Sequence, residues 1–188
     1  MIVLVSDTSV LIDLERGDLL EAIFSLPYEF AVPDVLYRQE MEGEWGDRLV
    51  ALGLRIEEVS AAGVGNALRY RSARPVLSVP DSFALALAQE RQWLLLTGDS
   101  QLRELATAEH IECHGVLWLL DRMEEGGVHG IQWLYDGLTA LAGHARCRLP
   151  RREIALRLPA EPGTGDEPPP AFRGSPVRSF GTLSKRYA

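Results

Sequence analysis

Met1-Ile2-Val3-Leu4-Val5-Ser6-Asp7-Thr8-Ser9-Val10-Leu11-Ile12-Asp13-Leu14 opens the chain. The apolar run from Ile2 to Val5 is unbroken, ends on Ser6 and Asp7, and is followed at once by a helical pattern. A short apolar run bounded by polar residues reads as a strand buried on both faces, as in a covered parallel sheet. Strand then helix puts Asp7 at the carboxyl end of the first strand, the edge of an open α/β sheet where ligands collect. A carboxylate there, beside Thr8 and Ser9, either caps the helix or opens an acidic site.

The same alternation continues downstream. Phe30-Ala31-Val32 reads as a second strand closed by Pro33, with Asp34 capping a helix that carries Val35, Leu36, Met41 and, on its polar side, Glu40. Residues 54–59 read as a third strand at an edge, and Ser60 caps a helix running to Tyr70. Asp81 starts a helix rich in small apolar residues, Phe83-Ala84-Leu85-Ala86-Leu87-Ala88. Residues 93–96 form a fourth strand ending at Thr97-Gly98-Asp99, a helix spans 100–108, and Ile111-Glu112-Cys113 is a short fifth strand. Helices at 116–123 and 131–141 complete the body. Strands alternating with helices specify an α/β domain with a mainly parallel sheet flanked by helices.

At 188 residues, 46% apolar and 24% charged, the chain suits one globular domain with an appendage. No apolar run is long enough for a membrane span and no basic signal-peptide start is present, so a cytoplasmic location is expected. Cys113 and Cys147 are too few for a disulfide framework. The net charge of −8 hides an asymmetry: residues 1–145 carry 10 of the 19 basic and 23 of the 27 acidic side chains. Two segments follow from this, a body over 1–145 and a basic, Pro/Gly-rich tail over 146–188. From Pro159 the composition is too poor in apolar residues to order itself by core formation. An acidic body repels nucleic acid unless cations or local arginines bridge to phosphate.

Asp7 and Asp99 end strands one and four, which in a doubly wound sheet become neighbours where the chain order reverses. Asp81 begins the helix leading into strand four, and Glu40 follows strand two. Four carboxylates gathered at one mouth would repel and raise each other's pKa. A hard divalent cation, Mg²⁺ or Mn²⁺, would neutralise them. Such an ion polarises a phosphoryl oxygen and lowers the pKa of a water toward neutrality. For Asp7 and Asp99 taken singly, helix capping is the commoner role; Asp81 suits both roles, and Glu40 shares a solvated acidic face with Glu42 and Glu44.

Asp7-Thr8-Ser9-Val10-Leu11-Ile12, Glu40 in Leu36-Tyr37-Arg38-Gln39-Glu40-Met41, Asp81 in Pro80-Asp81-Ser82-Phe83-Ala84-Leu85-Ala86, and Leu96-Thr97-Gly98-Asp99-Ser100-Gln101-Leu102 together resemble the four acidic blocks of PIN-domain proteins. The resemblance spans about residues 1–120. It implies a parallel five-stranded α/β fold and a Mg²⁺/Mn²⁺-dependent endoribonuclease, with Asp7, Glu40, Asp81 and Asp99 as metal-site residues and Thr8, Ser9, Thr97 and Ser100 in support. Many bacterial members are the toxin halves of VapBC pairs, so it also implies a protein antitoxin and a homodimer. The segment after the fifth strand, through 131–141 and the tail, departs from that pattern. A PIN-fold module that no longer cleaves and serves RNA or protein binding is the alternative, and a phosphohydrolase of small substrates is a second enzymatic one.

Arg38, Arg69, Arg71 and Arg74 are candidate contacts to RNA phosphates, since a guanidinium forks onto a phosphate as onto a carboxylate. A solvated, salt-bridged face is the commoner fate of such arginines. His110, Cys113 and His114 look like zinc ligands, but strand alternation puts His110 and Cys113 on opposite faces and no fourth ligand is near.

Overall fold

The computed structural model describes residues 2–158; the Pro/Gly-rich stretch expected to be loosely packed, 159–188, lies outside them. Five strands form one wholly parallel sheet: β1 (Ile2–Ser6), β2 (Tyr28–Pro33), β3 (Arg55–Glu57), β4 (Leu94–Leu96) and β5 (Cys113–His114), in the order β3-β2-β1-β4-β5. The chain builds outward from β1 through β2 to β3, then returns to lay β4 on the other side of β1. The order therefore reverses between β1 and β4, where the sequence places it.

Parallel neighbours need long crossovers, and helices supply them. They are α1 (Thr8–Arg16), α2 (Leu20–Ile23), α3 (Asp34–Leu36), α4 (Glu44–Leu52), α5 (Ala61–Ala73), α6 (Val79–Arg91), α7 (Ser100–Ala108), α8 (Val116–Gly126), α9 (Ile131–Gly143) and α10 (Arg151–Arg157). Leu4 and Val5 of β1 are wholly buried, as are the five consecutive residues Ala84 to Ala88 of α6. That run is buried all round because α6 packs on β1, β2 and β4 while α3, α5 and α7 cover its remaining sides. Small side chains at 84, 86 and 88 let the helix lie close to the sheet. Burying each leucine contributes roughly 2 kcal/mol, and Leu4 of β1 with Leu85 and Leu87 of α6 face each other's elements in the core.

Two helix starts differ from the sequence reading. Asp34 does not cap its helix: Pro33 holds the cap position, and Asp34 lies inside the first turn, 3.5 Å from Arg38. Asp81 does not cap α6 either. That helix begins two residues earlier, and the Ser78 hydroxyl accepts the Asp81 backbone N–H at 3.1 Å. Ser78 suits the position because Pro80 in the first turn has no N–H to satisfy. The carboxylate of Asp81 is thereby released from capping. After α3 the chain continues through a π-helical turn, Tyr37–Met41, which carries Glu40. Such turns are rare and frequent at functional sites.

Beyond residue 145 the described chain still has structure. α10 packs on α9, and Arg157, only 6% exposed, forks onto Asp121 of α8 through Nε and Nη2 at 3.1 and 2.8 Å. No helix among the described residues is long and apolar enough to cross a membrane.

Candidate active site

β1 and β4 end level with each other, with Ser6 paired to Leu96, so the next residues, Asp7 and Thr97, emerge side by side. The Asp7 backbone N–H donates to the Leu96 carbonyl at 3.0 Å and continues the ladder one step past the strand. Asp7 then turns into α1, and its Oδ1 accepts from the Val10 N–H at 3.0 Å and from the Ser9 hydroxyl at 2.8 Å. Its Oδ2 accepts from the Thr97 hydroxyl. The Thr97 oxygen in turn accepts the Asp99 backbone N–H at 2.9 Å, and Asp99 Oδ1 caps α7 through the Leu102 N–H at 2.9 Å. Asp7 and Asp99 are thus both helix caps, and one threonine ties them together. Capping uses a single oxygen of each.

Glu40 reaches the same edge from the π-helical turn, where its Oε2 accepts from the Thr8 hydroxyl. Asp81, half-buried at the start of α6, acts on Asp7 through its charge. Ser9 sits against Gly98, whose added Cβ would lie 3.4 Å from Ser9 Oγ. Ser100 is exposed and its hydroxyl makes no hydrogen bond among the described residues. Of the four acids, Thr97 joins Asp7 to Asp99, Thr8 holds Glu40 one residue on from Asp7, and Asp81 reaches Asp7 through its charge. They do not close into a ready-made cage: among the described residues no three His, Cys, Asp or Glu side chains converge as a metal-holding group.

Asp7 is the electrostatic focus. At 2% exposure, desolvation drives its pKa up to about 6, and the charge of Asp81 pushes the same way; the donations from Thr97, Val10 and Ser9 oppose this only in part. A carboxylate kept in so poorly solvated a place calls for positive charge nearby. The donors on offer are hard oxygens throughout, the set that suits Mg²⁺ or Mn²⁺ over softer ions. In donor chemistry the residues fit such an ion.

Three of the four arginines singled out for phosphate contact lie beside carboxylates. Arg69 forks onto Glu109 with both nitrogens at 3.0 Å. Glu109 follows the last residue of α7, a nine-residue helix capped by Asp99 at its other end, so Arg69 is anchored roughly 15 Å along that helix from Asp99. Arg38 pairs with Asp34, and Arg74 lies 3.9 Å from Glu104, while Arg71 is exposed. His114 makes a hydrogen bond to Glu112 and stacks on Trp118 at 4.2 Å.

Sequence reasoning passed over Arg103. It lies on the inner side of α7 and donates from Nη2 to the Thr97 carbonyl at 2.8 Å and from Nη1 to the Cys113 carbonyl at 3.3 Å. The available signal was its position four residues after Asp99, hence on the same helix face as a capping residue at the sheet edge.

Compared with known families, residues 3–158 match the model described as DUF3368: PIN domain. Among solved structures, the chain is similar to a PilT N-terminus domain protein from the hyperthermophilic archaeon Sulfolobus solfataricus P2. The two share 16% identity at a TM-score of 0.44, over 64% of this chain and 92% of that one. No curated protein matches it. The chain belongs to the PIN-domain family, whose members share a nuclease-type fold.

Proposed function

We propose that this chain is a Mg²⁺- or Mn²⁺-dependent endoribonuclease, and that it acts as the toxin component of a VapBC-like pair with a protein antitoxin and a homodimeric state in the cytoplasm. The observation that carries the nuclease reading is the buried Asp7, tied through Thr97 to Asp99 at the switch point of the sheet. The toxin reading, with its antitoxin and dimer, draws its support from the sequence resemblance alone.

Asp7 and Asp99 would hold the cation, with Asp81 and Glu40 drawn inward to complete the set. When bound, the ion supplies Lewis-acid polarisation of a phosphoryl oxygen and a lowered pKa for water. The chain supplies the rest. Asp7 and Asp99 each keep one oxygen on a helix N-terminus, which fixes their direction. Thr97 sets their separation, and Thr8 orients Glu40. The apolar ends of β1 and β4 beneath Asp7 exclude bulk water and strengthen every charge interaction above them.

The test is cleavage of single-stranded RNA with Mn²⁺ by the wild-type protein, Asp7→Asn and Asp99→Asn. Each substitution keeps a capping oxygen, so the fold should persist while the rate falls about 100-fold or more. Chelation of the metal should abolish the wild-type rate. Equal rates for all three proteins would end the assignment. The separation of the acids favours one second reading, a PIN module that binds without cleaving. Absence of Mn²⁺ binding by calorimetry, together with intact RNA, would select it.

A further inference from the structure

Arg103 occupies a place that no surface salt bridge explains. Its guanidinium forms no ion pair among the described residues and is spent on two backbone carbonyls, Thr97 at the end of β4 and Cys113 in β5. It therefore clasps the ends of two adjacent strands from one side. Room for the clasp comes from Gly115. A Cβ there would lie 3.1 Å from Arg103 Nη2 and 3.3 Å from the Thr97 carbonyl oxygen, so any side chain would crowd both partners of the hydrogen bond.

The clasp belongs to a closed ring. Thr97 is held by Arg103 through its carbonyl and holds Asp7 and the Asp99 backbone through its hydroxyl. Asp99 completes the circuit, because its carbonyl accepts the Arg103 backbone N–H at 3.0 Å. The Thr97 N–H is held by the His114 carbonyl at 2.9 Å and Arg103 holds the Thr97 carbonyl, so the two together fix the peptide planes that flank the Thr97 side chain. A charged donor to a carbonyl makes a stronger tether than a neutral one.

We propose that Arg103 is a positioning residue that fixes Asp7 and Asp99 relative to each other by clamping the Thr97 carbonyl, with Gly115 as the space it requires. This rests on the reading of those two acids as cation ligands. Arg103 does not touch RNA, so its loss should show in the rate of the bound complex and in metal affinity, leaving the affinity for RNA alone.

The experiment compares wild type, Arg103→Gln, Arg103→Lys and Gly115→Val, with Arg157→Met as a control for loss of a buried arginine elsewhere. In metal-free protein, hydrogen exchange at the Asp99 amide should rise at least about tenfold in Arg103→Gln and Gly115→Val, because that amide is held by Thr97; Arg103→Lys should recover part of it, and Arg157→Met should leave it alone. With Mn²⁺, Arg103→Gln should lower kcat about tenfold or more and weaken Mn²⁺ binding comparably, with KM for RNA within about twofold. Unchanged Asp99 exchange overturns the clamp whatever the metal does. A raised KM with unchanged kcat also overturns it, since Arg103 would then be a substrate contact. If exchange rises but the wild-type protein neither binds Mn²⁺ nor cleaves RNA, the clamp is architectural only and the nuclease reading is what has failed.

Discussion

The Thr97 hydroxyl donates to Asp7 across a sequence separation of 90 residues while accepting the backbone N–H of Asp99 at 2.9 Å. A single buried oxygen thus couples the first of the four candidate acids to the last. Thr97→Val keeps the shape of the side chain and removes both bonds. The Asp99 N–H and Asp7 Oδ2 would then lack a partner in a site with little water, costing about 1–3 kcal/mol. Urea titration at neutral pH in chelator measures this, and Thr97→Ser, which keeps the oxygen, should be the less damaging change in Asp99 amide exchange. Wild-type stability in Thr97→Val would mean the hydroxyl contributes nothing.

Asp7 also makes the stability of the metal-free protein depend on pH in a definite direction. Burial disfavours the charge and pushes its carboxyl up to about 6 when folded, from the ordinary aspartate value of 3.8. Below about pH 3.8 the group is protonated in both states and costs nothing. Between about 4 and 6 the folded state holds more protons than the unfolded one, so stability falls as pH rises. Above about 6 the cost is complete, at about 3 kcal/mol. Asp7→Asn removes this slope while keeping the cap. The difference in unfolding free energy between variant and wild type should therefore be near zero at pH 4 and grow in the variant's favour up to pH 7. Comparing the two isolates Asp7 from carboxylates with the opposite slope, such as Glu109, whose pKa Arg69 lowers. A difference that stays flat across this window would show that Asp7 is better solvated than its burial implies.

Much of this was legible in the residues, and for physical reasons. Strand β1 announces itself because a strand covered on both faces must be apolar at every position. Asp7 and Asp99 announce themselves because a polar residue closing such a strand has to go somewhere useful. The pairing of β1 with β4 follows from the crossover logic of parallel sheets. What could not be read is what depends on close approach. The π-helical turn that delivers Glu40 to Thr8 leaves no periodic trace, since five residues are too few to show a period. Arg103 looks like any cation on an amphipathic helix, because its partners are carbonyls and carbonyls carry no sequence signal. Asp81 was read as the start of its helix because Ser78 lies before the apolar pattern that marks the helix, hidden behind Val79 and Pro80. The acids were recognisable as a set by their order. Their separation was not.

Arg157 tests whether the body extends past residue 145. Its guanidinium is buried and forks onto Asp121 of α8, with further bonds to the Glu153 carbonyl and carboxylate at 3.2 and 3.1 Å. α10 has seven residues, too short to hold together alone, so this anchor fixes it. Arg157→Met strands the Asp121 carboxylate and should cost about 3 kcal/mol, whereas Arg157→Met with Asp121→Leu should recover most of that loss. Thermal melts of the single and double variants decide it. Equal melting temperatures for wild type and Arg157→Met would place the boundary of the body before α10.

The docking of α9 on α1 rests on two glycines facing each other. A Cβ at Gly137 would lie 2.7 Å from Leu19 Cδ2 and 2.8 Å from the Gly17 carbonyl oxygen, and one at Gly17 would lie 3.0 Å from the Gly137 carbonyl oxygen. Leu19 can swing aside, but a backbone carbonyl cannot, so Gly137→Ala must push the helix away from the body. Alanine favours a helix by about 1 kcal/mol over glycine, and overpacking costs about 1–3 kcal/mol, so the net change at 137 should be destabilising. Gly65 is the matched control, within α5 and with nothing inside 4 Å of an added Cβ. Gly65→Ala should therefore raise the melting temperature while Gly137→Ala lowers it. If both variants melt higher than wild type, α9 is not seated on α1 through this seam. Helix α9 would then be an attachment to the domain and no part of its core.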